Sequence, residues 1–230
     1  MLRKNMLNKD KHEIILKQIL RDIFKNNTLQ SQLVFKGGTC LYIFYELPRF
    51  STDLDFNLTN ENFDFNDLTE ILKKYATIED SSSKKNTWFL LGSYEKGFQK
   101  IKIEVSKRNY PSEYITKNYF GVLIPIMHPE HMFAHKLCAI TDRKKLQNRD
   151  LFDSWFMFDK QWEPNEEIIQ LRTGKSTIEY YQYLIKFITN NVNKKYMLDG
   201  LGEVLDNKRK DWVKNHLLQE LLFQLSIRVK

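Results

Sequence analysis

Near the start of the chain Ile14, Ile15, Ile19, Leu20 and Ile23 recur at three- and four-residue intervals. That spacing predicts a helix over 11–26, with Asp10 placed to cap it. Val34 and Phe35 make a short apolar strand. A helix over 40–47 follows and ends at Pro48, and 50–58 reads as the next strand. Leu68, Ile71, Leu72 and Tyr75 line one face of a helix over 66–75. The polar, serine- and lysine-rich stretch 79–86 reads as a loop. Residues 87–94 form a strand, Gly97 begins the turn after it, and 98–108 form another strand. In that last one Ile101, Ile103 and Val105 alternate with Lys102, Glu104 and Ser106. A short strand is expected over 121–127.

From His128 onward the periodicity turns helical, with candidate helices over 129–143, 149–158, 177–190 and 207–229. The predicted fold class is therefore α+β: an N-terminal mixed sheet with flanking helices, then a C-terminal helical bundle. The change near Ile126 suggests two domains, 1–126 and 127–230, the second contributing to an active-site cleft. No internal repeat interrupts this order.

Composition narrows the possibilities. With 42% hydrophobic and 28% charged residues, the 230-residue chain can bury a real core and is not of disordered type. Its formal charge of +7 favours nucleic acid or another polyanion as partner, although solubility alone would explain so modest an excess. The two cysteines, Cys40 and Cys138, lie in apolar helical surroundings, as reduced buried thiols of a cytoplasmic protein would. MLRKNMLNKD lacks the apolar core of a signal peptide, and no apolar run reaches membrane-spanning length, so no membrane association is expected.

Candidate chemistry concentrates in KGGTCLYIFYELPRFSTDLDF, residues 36–56. In a strand, positions i and i+2 face the same way, so Asp53 and Asp55 project together while Leu54 and Phe56 enter a core. Two adjacent carboxylates repel, and a divalent cation relieves the conflict; Mg²⁺ commonly takes one or two carboxylates plus substrate phosphates. Gly37 and Gly38 stand where the next helix begins, and exposed N–H groups at such a terminus bind phosphate. Alone, the D-x-D reads more readily as an exposed strand with two solvated acids beside a glycine turn. Together, with Arg49 and Ser51 between them, they favour a metal–nucleotide site.

The same residues closely resemble the first motif of the AbiEii-type nucleotidyltransferase toxins, in the polymerase-beta-like nucleotidyltransferase superfamily. That pattern is roughly K-G-G-T-x-L followed by R-x-S-x-D-[LI]-D-[FL], and every element is present. The resemblance implies that Asp53 and Asp55 hold Mg²⁺ (or Mn²⁺), and that Lys36, Gly37, Gly38, Thr39, Arg49 and Ser51 serve the nucleotide.

Glu104 occupies the polar face of IKIEVSK. If its strand pairs beside the carboxylate strand, Glu104 joins Asp53 and Asp55, and three carboxylates could hold two cations. Otherwise it is the wet side of a half-buried strand. The superfamily places a third acid, usually Asp, on a later strand of this kind, which favours the first reading.

In the helical half, Lys136 falls within the apolar stripe of Met132, Phe133, Leu137 and Ile140. Such a lysine snorkels or finds an anion, and a triphosphate would serve. Asp150 and Asp153 share a helix face in a first turn, where acids are ordinarily favourable; alternatively one of them pairs with Lys136 or Arg143 and orients it. The resemblance extends here, through A-x-K-[LI]-x-A at 134–139 and R-D-[LI]-x-D at 149–153. It implies phosphate contact for Lys136 and an essential acid at Asp150. It covers about 34–158, and the last seventy or so residues carry no recognisable motif.

His128, His131 and His135 lie along one helix face, a spacing open to zinc. Pro129 and the lack of an H-E-x-x-H pattern weigh against that, and exposed or phosphate-facing histidines are the preferred reading. Basic runs at 144–145, 194–195 and 208–210, with Tyr180, Tyr181, Tyr183 and Trp212, could grip RNA, but solvated faces and core aromatics explain them as well.

The expectation is a Mg²⁺-dependent nucleotidyltransferase that uses a nucleoside triphosphate. The resemblance implies the toxin of a bacterial type IV-like toxin–antitoxin pair. It implies transfer of a nucleoside monophosphate to an acceptor, with the 3′ end of tRNA favoured, and a cognate antitoxin that is a transcriptional regulator. The alternatives are a small-molecule or protein acceptor, or a non-catalytic nucleotide- or RNA-binding module.

Overall fold

Helix α1 (Lys9–Lys25) begins where the Asn8 side chain accepts from the Lys11 N–H at 3.1 Å. The cap is thus Asn8, and Asp10 sits in the first turn, where its charge favours the helix dipole. A computed structural model describes residues 8–59, 63–95 and 99–229. The chain divides into two units. The first runs to Glu46 and resumes from Phe50 to Met127; the second takes Leu47–Arg49 and everything from His128.

After α2 (Asn27–Gln32), the first unit contains β1 (Leu33–Lys36), α3 (Gly37–Tyr45), β2 (Asp53–Leu58) and α4 (Phe65–Lys73). Then come β3 (Thr77–Lys84), β4 (Thr87–Glu95), β5 (Gln99–Ser106), β6 (Tyr114–Tyr119) and β7 (Val122–Met127). The seven strands form one mixed sheet in the order β3-β4-β5-β2-β1-β7-β6. β2 runs antiparallel to β1 and parallel to β5, so the carboxylate strand lies between the glycine-bend strand and the Glu104 strand.

The register fixes the two faces. Phe35 lies opposite Phe56, and Phe56 opposite Val105, all three fully buried. Phe24 of α1 closes on Phe56 with ring centroids 6.0 Å apart, so the amphipathic stripe of α1 covers this face. One position earlier along β2, Asp55 stands between Lys36 and Glu104 on the opposite face. On β4, a Cβ at Gly92 would lie 2.9 Å from the Ala76 Cβ and 3.3 Å from Leu72, so glycine there allows the α4 region to pack closely.

Several expectations change. Residues 79–86 were expected to loop, yet most of them form β3, an edge strand whose side chains are largely exposed on both faces. Polar edge residues carry no two-residue alternation, and the β4 ladder alone organises them. β6, at the other edge, also escaped the pattern. α3 starts at Gly37, not at residue 40, and stops before Pro48, with Glu46 in the left-handed region at φ 61°. The expected turn at Gly97 lies outside the described residues.

The second unit holds α5 (Pro129–Asp142), α6 (Asn148–Asp159), α7 (Glu166–Thr173) and α8 (Thr177–Asn191). A short 3₁₀ turn at Lys194–Tyr196 follows. Then α9 (Asn207–Trp212) passes through a π turn at Val213–Leu217 into α10 (Leu218–Ile227). α6 is buried from Asp150 through Phe158 without a break and packs against α5, α10 and the π turn. Phe133 meets Phe158 at 4.6 Å and Trp155 meets Trp212 at 4.2 Å. Tyr180 and Tyr181 are core residues, and the Tyr180 hydroxyl donates to the Leu137 carbonyl at 3.0 Å. Both cysteines are buried thiols.

Candidate active site

In the first unit the site is a charged face laid across three strands. Asp55 of β2 is in register with Lys36 of β1 and Glu104 of β5, and Asp53 is in register with Lys102 of β5. Sequence reasoning had assigned no role to Lys102. Its Nζ lies 3.1 Å from Asp53 Oδ2 and 3.6 Å from Glu104 Oε2. Burial pulls this ammonium toward neutrality, but Asp53, Glu104 and Asp55 outweigh it and raise its pKa. Asp55 moves upward as well, through burial first and then the negative charge of Asp53, with Glu104 adding to it.

The glycine bend abuts these acids. Gly37 has φ 81°, where a side chain is strained, and a Cβ there would lie 2.5 Å from Asp55 Oδ2. Glycine is therefore required twice at this position, once by the backbone and once by the neighbouring carboxylate. Lys36 is the N-cap residue of α3 and makes no side-chain hydrogen bond to the first turn. The opening amides of this nine-residue helix thus lack a side-chain cap and can serve an anion.

Two further side chains pin the strand. Thr39 is buried and its hydroxyl donates to the Asp53 carbonyl. His12, fully buried on α1, places Nε2 3.0 Å from the Thr52 carbonyl and Nδ1 2.9 Å from the Tyr94 hydroxyl. A carbonyl only accepts, so Nε2 carries the proton and Nδ1 receives the tyrosine hydrogen. Burial lowers the His12 pKa, against the opposing effects of the Thr52 carbonyl and Asp53, and favours that neutral form. The peptide groups on both sides of the Asp53 Cα are thereby held. A lone histidine in the amphipathic stripe of α1 was the one available signal for His12. Lys102 was signalled only by its position two residues before Glu104 on the same face.

The donor set suits a hard divalent cation. Asp53 and Asp55 share a face, Asp55 is burdened by neighbouring negative charge, and the absent Gly37 side chain leaves room beside Asp55 Oδ2. Among the described residues, no group of three or more His, Cys, Asp or Glu side chains is arranged to hold a metal ion. Glu104 instead shares the Lys102 ammonium with Asp53.

In the second unit the motif residues form a buried ion cluster. Arg49 reaches Asp153 through two parallel bonds, Nε to Oδ1 at 2.6 Å and Nη2 to Oδ2 at 2.7 Å. Lys136 Nζ lies 2.8 Å from Asp153 Oδ2 and 3.3 Å from Asp150 Oδ1. Arg143 Nε stands 2.8 Å from Asp150 Oδ2, off the line of a hydrogen bond, so charge rather than a directed bond links them. Asp153 is fully buried. Burial alone would raise its pKa, but Arg49 and Lys136 hold the carboxyl down at about 2. Lys136 is pushed upward: burial opposes its charge, and Asp153 and Asp150 more than restore it.

The structure therefore gives Thr39 and Arg49 protein partners, the Asp53 carbonyl and the Asp153 carboxylate. Ser51 is 7% exposed. Of the three histidines of the helical half, the His128 and His131 rings meet edge-to-face with centroids 5.9 Å apart, and His135 has a different neighbour. His128 is the N-cap residue of α5 without a side-chain cap bond, His131 is buried with Nε2 3.4 Å from Asn165 Nδ2, and His135 Nδ1 meets Arg172 at 2.8 Å. The expectation of exposed or phosphate-facing histidines thus fails for His131. α7, which brings Asn165 and Arg172, was not visible in the periodicity, so neither neighbour could be foreseen.

The sequence profile of the family described as Nucleotidyl transferase AbiEii toxin, Type IV TA system, matches residues 18–214. No curated protein matches the chain. Two solved structures from Helicobacter pylori share the fold. A protein described as a nucleotidyltransferase candidate superposes with TM-score 0.59 at 21% identity, covering 96% of this chain and 97% of its own. The JHP933 protein gives TM-score 0.56 at 20% identity, covering 97% of this chain and 96% of its own.

Proposed function

This chain belongs to the AbiEii nucleotidyltransferase toxin family, and from that premise we propose that it transfers a nucleoside monophosphate from a triphosphate to the 3′ end of tRNA, with Mg²⁺ or Mn²⁺ held by Asp53 and Asp55. The observation that carries the proposal is the contact between the glycine bend and Asp55. Only glycine at position 37 leaves space beside Asp55 Oδ2, so phosphates seated on the bend would adjoin the metal carboxylates.

In this account the amides of Gly37 and Gly38, with Lys36, orient the triphosphate. Thr39 and His12 fix the peptides around Asp53, so the carboxylate needs little reorganisation. When bound, the divalent cation supplies charge neutralisation to the phosphates and acidifies the attacking hydroxyl. Glu104, on the same face, accepts the hydroxyl proton. The acceptor oxygen bonds to the α-phosphorus, the bond from that phosphorus to the bridging oxygen breaks, and pyrophosphate leaves with the electron pair. Ser51 is assigned to the phosphates on the family motif. Lys136 is assigned to the triphosphate on the same ground, with Asp150 and Asp153 orienting its ammonium.

The basic charge of +7 supports an RNA acceptor. The type IV description of the family supports an antitoxin partner, and the resemblance of the motifs is the ground for taking it to be a transcriptional regulator encoded alongside. No described helix is long and apolar enough to cross a membrane, which is compatible with action in the cytoplasm.

The test is incubation with each labelled triphosphate, Mg²⁺ and total RNA. Label in tRNA that disappears with Asp53→Ala is the expected result. Label found only in protein or in small molecules would move the acceptor. Nucleotide bound without any transfer would make the chain a binding module.

A further inference from the structure

Lys102 stands where a two-cation account has least room for it. A second divalent ion would have to draw on Glu104 together with an aspartate, since Glu104 is the acid in register beside Asp55 on the neighbouring strand. The Lys102 ammonium already lies 3.1 Å from Asp53 Oδ2 and 3.6 Å from Glu104 Oε2. Its stem is fixed to β5 opposite Asp53, and its side chain is only 29% exposed. A tethered cation at those distances takes the place of an ion bridging Asp53 and Glu104 and repels a dication there, whereas Asp55 Oδ2 lies beside the Gly37 bend. The described residues likewise show no three-carboxylate cluster arranged for metal.

We infer that the acidic face takes a single divalent cation, at Asp53 and Asp55, and that the Lys102 ammonium supplies the second positive charge while holding Glu104 on that face. The inference rests on the metal reading proposed above and specifies its stoichiometry. Lys102 is a positioning residue: it offers N–H donors to carboxylate oxygens and carries no vacant orbital for a ligand. Glu104 is then free of metal and available to take a proton.

The experiment titrates the full chain with Mn²⁺ alone and reads free Mn²⁺ by electron paramagnetic resonance, with circular dichroism melts on each variant. Wild type is expected to bind one Mn²⁺ per chain. Lys102→Met keeps the length of the stem, removes the charge, and is expected to bind two; Lys102→Arg is expected to bind one. Glu104→Gln supplies an independent arm that leaves Lys102 in place, and its single Mn²⁺ should bind within about twofold of wild type. Two Mn²⁺ bound by wild type would overturn the inference and leave the metal reading standing. So would one Mn²⁺ bound by folded Lys102→Met, or a loss of about tenfold or more in affinity with Glu104→Gln. No Mn²⁺ bound by wild type would overturn both.

Discussion

Replacing Asp153 by asparagine removes the anion on which Arg49 and Lys136 converge. Arg49 makes two bonds to it at 2.6 and 2.7 Å, and Lys136 adds a third contact at 2.8 Å. The carboxyl is fully buried, so solvent does not screen these contacts. Its pKa falls from the ordinary 3.8 to about 2, which corresponds to about 2 kcal/mol of stability at neutral pH. The substitution costs more than that, because it strands cations in the interior. Breaking a buried pair from one side typically costs about 3–5 kcal/mol. At roughly 2–4 °C per kcal/mol for a chain of this size, the melting temperature should fall by about 10 °C.

The sign with pH is fixed as well. A depressed carboxyl contributes its stability above the unfolded value of 3.8, and the contribution is lost as pH falls through that value toward about 2. Wild type should therefore weaken between pH 4 and 2 more steeply than the variant. Asp150→Asn should cost less, since its arginine partner, Arg143, is half exposed and the Lys136 contact is longer at 3.3 Å. The assay is denaturant and thermal unfolding followed by circular dichroism across that pH range. A change below about 1 kcal/mol at pH 7 for Asp153→Asn, or parallel acid profiles for wild type and variant, would refute the reasoning.

Two other perturbations separate function from stability. Asp55→Asn should melt no lower than wild type at neutral pH without metal. The raised pKa means that ionising Asp55 costs the folded state as pH rises from the unfolded value through the folded one, and asparagine removes that cost. Nucleotide transfer by this variant should be abolished, and Mn²⁺ should no longer raise its melting temperature. Gly37→Ala should cost about 1–2 kcal/mol from its backbone alone and displace Asp55, cutting transfer at least about tenfold. Gly174→Ala, also at positive φ (70°) but with nothing near its Cβ position, should show the stability loss with transfer unchanged.

The chain announced its interior better than its margins. Phe35, Leu54, Phe56, Ile103 and Val105 are buried because they must be, and that compulsion leaves a readable period in β1, β2 and β5. β3 and β6 lie at the two sheet edges, where neighbouring strands impose hydrogen bonding on residues that need no burial. The glycines were expected where a helix begins, with the helical run itself over 40–47; α3 already includes both, and of the two only Gly37 takes a positive φ, 81°. The acids at 53 and 55 were legible from spacing, since a strand leaves no choice about which side chains share a face. Lys102, His12 and the buried Arg49–Asp153 pair were not assigned those roles. Each acts through a partner far along the chain (His12 through Tyr94, Lys102 through Asp53, Arg49 through Asp153), and no local pattern encodes such a meeting.

The account stands on a shared cation between Asp53 and Asp55 beside a triphosphate on the glycine bend. Calorimetric titration of the intact chain with a non-hydrolysable triphosphate, with and without Mg²⁺, measures this directly. Wild type should bind the nucleotide strongly only with the cation present. The Asp53→Asn/Asp55→Asn double variant, still folded, should lose at least about a hundredfold in affinity. Equal affinity in the two proteins, or binding by wild type that ignores Mg²⁺, would contradict it.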